Sequence, residues 1–130
     1  MSHPFFAYIA RLRHIGRWGL MHNTVQENVQ EHSHMVAVLA HALAVIRNER
    51  FGGTVDPGRV AVAALYHDAS EIFTGDLPTP VKYANPAIRE AYKAVERDAA
   101  DKLAAMLPDE LRPAFSSVLS EEDQEVAVLV

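Results

Sequence analysis

The 130-residue sequence predicts an all-α fold, a helical bundle in a single domain that spans residues 1–130. Polar residues that cap helices precede several segments, and apolar residues within these segments recur at spacings of three and four. Hydrophobic residues make up 49% of the chain, which is enough for a core. No Gly/Ser-rich linker divides the sequence, and its length also indicates one domain.

The first predicted helix covers residues 4–14. Its apolar residues share one helical face and are Phe5, Phe6, Ile9 and Leu12. The next four residues, 16–19, begin and end with glycine. Glycine is unfavourable inside a helix, so we expect the helix to end before this segment.

The second and third helices have clear start signals. Asn28 and Glu31 have the pattern of a capping box, so the second helix begins after Asn28 and runs to about residue 48. Asp56 and Pro57 begin the third helix, because aspartate caps a helix and proline suits its first position. We expect this helix to continue through His67 to about residue 75.

The remaining segments are predicted from proline positions and periodicity. Residues 76–80 contain two prolines and are expected to be irregular. The longest helix begins at residues 85–86 and runs to about residue 107, and a short helix follows within 109–119. Another helix starts near residues 120–123 and is apolar up to Val130. We expect this last helix to be truncated and the natural protein to continue.

Composition argues against several classes of protein. The net charge of −5 disfavours binding to a nucleic acid polymer. No apolar stretch approaches the roughly 20 residues of a membrane span, and the N-terminus does not resemble a signal peptide. The chain has no cysteine, which is compatible with the expected cytoplasmic location. Any bound metal must therefore be held by histidine and carboxylate.

Two polar clusters in otherwise apolar helices are the main candidates for chemistry. His67, Asp68 and Glu71 interrupt a run of alanine, valine and leucine, and buried charge is costly unless it is compensated. A divalent metal bound by His67 and Asp68 would compensate it, with Glu71 one turn further on the same face. Alternatively, His67 and Asp68 hydrogen-bond each other or a neighbouring backbone group. A second cluster at residues 31–34 favours the metal, because bundles build such sites from different helices.

His32, followed by His67-Asp68 on the next helix, resembles the HD-domain superfamily of metal-dependent phosphohydrolases. Longer motifs are similar to the bacterial 5′-deoxynucleotidase family within that superfamily. These motifs are RW at 17–18, ENVxEHS at 27–33, YHDASE at 66–71 and TGDLPTPVKY at 74–83. The similarity keeps the same order over essentially the whole chain.

This resemblance implies an enzyme that hydrolyses deoxyribonucleoside 5′-monophosphates to deoxyribonucleoside and phosphate. By position, the residues that match the family's metal ligands are His32, His67 and Asp68. The residues that match catalytic roles are Glu71, as acid/base, and Arg17, which orients the phosphate. The residues that match substrate contacts are Arg17, Trp18, His32, Asp68, Asp76, Leu77, Pro78 and Thr79.

Two of these assignments have ordinary structural alternatives. Trp18 matches the residue packed against the sugar, where a ribose 2′-hydroxyl would sit, but a single tryptophan is also typical of a core. Asp76 is suited to the sugar 3′-hydroxyl, but an aspartate there can equally cap the turn at Pro78.

The resemblance also implies a cofactor, a partner and one departure. Family members use a divalent transition metal, with cobalt, manganese or copper supporting activity, and are typically homodimers; for this chain Co²⁺ is the first candidate and Mn²⁺ and Cu²⁺ are the others. The last metal ligand of the superfamily is an aspartate that falls beyond Val130, and Asp123 does not match its motif. Two alternatives therefore stay open: another nucleotide or phosphometabolite as substrate, or a nucleotide-binding HD module without catalysis.

Overall fold

A computed structural model of the chain describes residues 3–17, 26–76, 79–82, 84–120 and 123–130. Within these ranges the regular elements are helices, and a single bridge pairs Gly16 with Asn28, which confirms the all-α prediction. The helices are α1 (Phe5–Ala10), α2 (Val29–Phe51), α3 (Pro57–Tyr66), α4 (Glu71–Thr74), α5 (Thr79–Lys82), α6 (Pro86–Ala105), α7 (Arg112–Leu119) and α8 (Gln124–Leu129). None of the described helices has both the length and the apolarity needed to cross a membrane.

The predicted helix starts are confirmed by their hydrogen bonds. The Asn28 side chain accepts a bond from the Glu31 backbone N–H at 2.8 Å, and the Glu31 carboxylate accepts one from the Asn28 N–H at 3.5 Å. The Asp56 side chain accepts from the Gly58 N–H at 3.0 Å, and Asn85 caps α6 in the same way. Each cap satisfies a backbone donor that has no partner inside its helix.

The end of α2 lies beyond the predicted residue 48. The helix continues to Phe51 and stops at Gly52, whose φ of 68° lies in the left-handed region that glycine adopts without strain. The Asn48 side chain hydrogen-bonds both the N–H and the carbonyl of Val55, at 3.1 and 2.7 Å. This clamp fixes the loop that returns the chain to α3.

The prediction of one helix from residue 57 to residue 75 is wrong. Helix α3 ends at Tyr66, and a turn over residues 67–70 separates it from α4. In this turn the Ala69 N–H bonds the Tyr66 carbonyl, and the Glu71 N–H bonds the Asp68 carbonyl, each at 3.0 Å. Bonds to the residue three positions back tighten the backbone and break the helical register.

Two other boundaries also differ from the sequence prediction. The first helix is α-helical only over Phe5–Ala10 and continues as a 3₁₀ helix over Arg11–His14. The segment predicted to be irregular contains the start of α5 at Thr79, with Pro80 as its second residue. Proline is tolerated there because the first backbone N–H groups of a helix have no intrahelical acceptor.

The interior consists of two apolar clusters, one on each side of the turn at 67–70. The first joins α2, α3 and α8, mainly through small residues: Ala37, Ala40, Ala44, Val55, Val60, Ala63, Ala64 and Val126. The second joins α1, α6 and α7 around Phe5, Leu103 and Leu107. Ala64 belongs to the first cluster and Ala69 to the second. The turn between them is therefore anchored at both ends.

Candidate metal centre

His32 and His67 come from different elements and meet at one carboxylate. Their Nε2 atoms lie 3.5 and 3.0 Å, respectively, from the same Asp68 oxygen, Oδ2. The two imidazole centroids are 5.5 Å apart. One candidate ligand atom from each residue lies within 4.8 Å of the others. The structure thus brings together the three residues that the sequence predicts as metal ligands.

The small residues of α2 and α3 explain this convergence. Alanines on the facing surfaces, such as Ala37 and Ala64, let the two helices pack closely, and His32 lies on α2 just before this face. His67 follows α3 directly, and its Nδ1 lies 2.6 Å from the Ala64 carbonyl. This contact fixes the ring so that Nε2 is directed at Asp68.

The donor set fits a divalent transition metal. Two imidazole nitrogens and one carboxylate oxygen are ligands that such ions accept. The Ala64 carbonyl supplies the outer hydrogen bond that metal-binding histidines commonly make. The bond between His67 and Asp68 is also what the alternative without a metal predicts. A hydrogen-bonded pair of His67 and Asp68 does not require His32 to approach the same Asp68 oxygen. The position of His32 therefore favours the metal site over this alternative.

The surroundings shift the pKa values of His32 and His67 in opposite directions. Burial and the positive charge of Arg17 lower the pKa of His32. Burial acts in the same direction on His67, but the hydrogen bond and charge of Asp68 outweigh it and raise the pKa of His67. Burial acts to raise the pKa of Asp68, whereas His67 and His32 together lower it. Asp68 is therefore anionic at neutral pH, as a metal ligand must be.

Glu71 is the most deeply buried acid near this centre. Its side chain is 3% exposed, and its Oε1 lies 3.6 Å from the Lys82 ammonium. The second oxygen, Oε2, is buried and has no hydrogen-bond partner among the described residues. Burial and the negative charge of Asp68 raise the pKa of Glu71 to about 7. A carboxyl group in this state can hold or release a proton near neutral pH.

Lys82 is a component of the site that no sequence motif singled out. It lies inside the motif at residues 74–83 and is the only basic residue there. Spacing does not reveal its contact with Glu71, because the two residues lie on different helices, α4 and α5. The isolated lysine in an otherwise uncharged half of that motif was the available signal.

Arg17 and Asp76 lie close enough to influence the centre. The Arg17 Nε atom lies 3.2 Å from the Glu27 carboxylate, and its backbone N–H bonds the Glu27 carbonyl at 2.8 Å. Its guanidinium charge lowers the pKa of His32, and the charge of Asp76 raises that of Glu71.

Other predicted contacts are not positioned by the structure. Trp18, Leu77 and Pro78 lie outside the described residues, and only the backbone of Thr79 is described, at the start of α5. Asp123 pairs with Arg59 at 3.3 Å and is not a member of the group formed by His32, His67 and Asp68.

The fold is that of HD-domain phosphohydrolases. A solved HD-domain phosphohydrolase from Listeria innocua is similar to this chain with a TM-score of 0.83 and 30% identity, covering 99% of this chain and 63% of that one. A second solved structure, described as a predicted metal-dependent phosphohydrolase from Magnetospirillum magnetotacticum, has a TM-score of 0.64 and 32% identity. It covers 88% of this chain and 55% of that one.

Sequence comparison narrows the class further. The model of the 5′-deoxynucleotidase YfbR-like family matches residues 4–130, and the chain belongs to this family. A 5′-deoxynucleotidase from Cronobacter sakazakii is 58% identical over 117 residues, which cover 90% of this chain and 59% of that protein. The chain therefore spans about three fifths of the length of the curated relatives it matches.

Proposed function

We propose that this protein is a metal-dependent 5′-deoxynucleotidase, which hydrolyses deoxyribonucleoside 5′-monophosphates to deoxyribonucleoside and phosphate. The convergence of His32, His67 and Asp68 within 4.8 Å is the observation that carries the proposal. The buried acid Glu71 beside this cluster supports a catalytic role over simple binding. The curated relatives named 5′-deoxynucleotidase support the choice of substrate.

In this proposal His32, His67 and Asp68 hold the metal, with Co²⁺ as the first candidate and Mn²⁺ or Cu²⁺ as the others. When bound, such an ion neutralises phosphoryl charge and makes water a stronger acid. Asp68 supplies the anionic ligand because its pKa is held low by the neighbouring histidines. His32 and Asp68 also border the space that the phosphate occupies.

Arg17 and Glu71 carry the remaining steps at the phosphate. Arg17 orients the phosphoryl group, for which a planar guanidinium is well suited. Glu71 exchanges a proton with the attacking water or with the departing 5′-oxygen. In the metal-free protein, burial and Asp68 raise the pKa of Glu71 to about 7, which brings this carboxyl group into the range where it can exchange a proton near neutral pH.

In this proposal the site distinguishes deoxyribose from ribose by excluding the ribose 2′-hydroxyl. We place Trp18 against C2′, where an indole leaves neither space nor a partner for a ribose hydroxyl. Asp76 accepts a hydrogen bond from the 3′-hydroxyl. The other substrate contacts proposed are Leu77, Pro78 and Thr79.

Phosphate release from dAMP and from AMP by the metal-loaded protein tests the function. We expect phosphate release from dAMP to be much faster than from AMP. In the Trp18→Ala variant the ratio of these two rates should be smaller. Selectivity that survives Trp18→Ala would remove Trp18 from the sugar filter. A protein that binds metal and dAMP but releases no phosphate would instead be a nucleotide-binding module.

We also propose that the protein is a cytoplasmic homodimer. An apolar stripe on α2, opposite the buried alanine face, consists of Met35, Val38, Leu39, Leu43 and Ile46, each 42–57% exposed. A stripe of this kind is typical of an interaction surface, and symmetric dimers are the commonest assemblies. Light scattering should give a dimer that Leu39→Glu dissociates, and a monomeric wild type would contradict this.

Fractionation of cells that produce the protein tests the proposed cytoplasmic location.

A further inference from the structure

Lys82, the last residue of α5, lies between Glu71 on α4 and Tyr92 on α6. Its side chain is 15% exposed, and the Glu71 carboxylate that it contacts is 3% exposed. The ammonium also lies 5.2 Å from the centroid of the Tyr92 ring on α6. Removing one partner of a contact this well shielded from water leaves the other buried without its charged neighbour, which is far more costly than at the surface.

The two oxygens of Glu71 are not equivalent. Oε1 faces the Lys82 ammonium at 3.6 Å, whereas buried Oε2 has no hydrogen-bond partner in the part of the chain that the structure describes. A carboxylate held at one oxygen cannot rotate freely about its last bond. The other oxygen is therefore presented in a fixed direction.

We propose that Lys82 is a positioning residue for Glu71: by holding Oε1, it leaves Oε2 as the oxygen that exchanges the proton. This inference rests on the proposed function. It assigns Lys82 no contact with the substrate, so its effect should be transmitted entirely through Glu71.

The surroundings of Lys82 keep it cationic for this purpose. Burial acts to lower the pKa of Lys82, but Tyr92, Glu71, Asp68 and Glu96 outweigh burial and raise it. The ring face of Tyr92 adds a favourable cation–π contact. The ammonium therefore persists at neutral pH although most of its hydration is removed.

Kinetics of the metal-loaded protein with dAMP test the inference through four variants. These are Lys82→Met, Lys82→Arg, Glu71→Gln and the double variant Lys82→Met/Glu71→Gln. Lys102→Met is the matched control, because that lysine also stacks on an aromatic ring, Phe73, at 5.9 Å. Metal stoichiometry and thermal unfolding are measured for each variant, and Lys82→Gln replaces Lys82→Met if the latter does not fold.

Lys82→Met should lower kcat by about 10- to 100-fold, a part of the usual contribution of a general acid or base. KM should stay within about two-fold, since an interaction used only in the transition state changes kcat. Lys82→Arg should restore most of kcat, and Lys102→Met should leave it unchanged. In the Glu71→Gln background, loss of Lys82 should have no further effect, because the group it positions is already gone.

Four results would overturn the inference while leaving the proposed function intact. An unchanged kcat in Lys82→Met would show that Glu71 needs no positioning. A raised KM with unchanged kcat would make Lys82 a substrate contact. An equal loss of kcat with and without Glu71, or a loss of metal, would show that Lys82 acts elsewhere. Wild-type protein that releases no phosphate refutes the proposed function itself, and with it the catalytic purpose of Lys82.

Discussion

Replacing Glu71 by glutamine should stabilise the metal-free protein, increasingly so as the pH rises. Burial and Asp68 raise the pKa of Glu71 from 4.5 to about 7. Between these values the unfolded chain loses its proton while the folded protein keeps it, so the free energy of unfolding of the wild type falls as the pH rises. Below pH 4.5 both states are protonated and the penalty vanishes. Above pH 7 both are ionised and the penalty is constant.

The difference between the two pKa values sets the size of the effect. At about 1.36 kcal/mol for each pKa unit, the wild type should lose about 3 kcal/mol relative to Glu71→Gln between pH 4.5 and pH 8. Urea unfolding with a chelator present, followed by circular dichroism across this range, measures the difference directly. A difference that is flat with pH, or that favours the wild type at higher pH, would refute the assignment of a desolvated carboxyl group whose burial and proximity to Asp68 outweigh its contact with Lys82.

Four other predictions concern the metal and the framework around it. His67→Ala should weaken metal binding by at least about 100-fold by titration calorimetry, whereas exposed His34→Ala should not; equal affinities would remove His67 from the ligand set. Adding Mn²⁺ at about 100 times its Kd should stabilise the fold by about 2.7 kcal/mol and flatten the pH dependence attributed to Glu71, and an unshifted melting curve would argue against a site. Asn28→Ala should cost about 1 kcal/mol in urea unfolding, and no loss would mean that the capping box contributes nothing. Phe5→Ala should cost about 3–5 kcal/mol, whereas its neighbour Phe6, which is 60% exposed, should cost far less; similar losses would contradict the assignment of the second core cluster.

Local sequence signals predicted the helix starts well because capping is a local interaction. The partners of Asn28, Asp56 and Asn85 lie within three residues along the chain, so the sequence contains both members of each bond. The same signals were poor at helix ends. Nothing local distinguishes Tyr66 from the residues before it, and the tightened turn that follows is anchored by Ala69 in a cluster built from distant helices.

The apolar faces were predicted only in part. Phe5 and Leu12 are buried as expected, but Phe6 is 60% exposed although it falls on the predicted apolar face. Of the apolar residues of α6, Tyr92 and Leu103 are buried, whereas Val95 is 48% exposed. Periodicity identifies which side of a helix is apolar, but neighbouring elements decide how much of that side they cover.

The sequence by itself determined the helical class, the cap residues and the identity of the chemical groups, because these depend on residue type and short spacing. The motif around His32, and that around His67 and Asp68, also named the candidate ligands. Only the tertiary structure decided that the imidazoles of both histidines reach one carboxylate oxygen, that Glu71 is buried, and that one of its oxygens lies 3.6 Å from the Lys82 ammonium. Those facts depend on the close packing of alanine-lined helices and on burial, and both arise only when segments distant in the sequence come into contact.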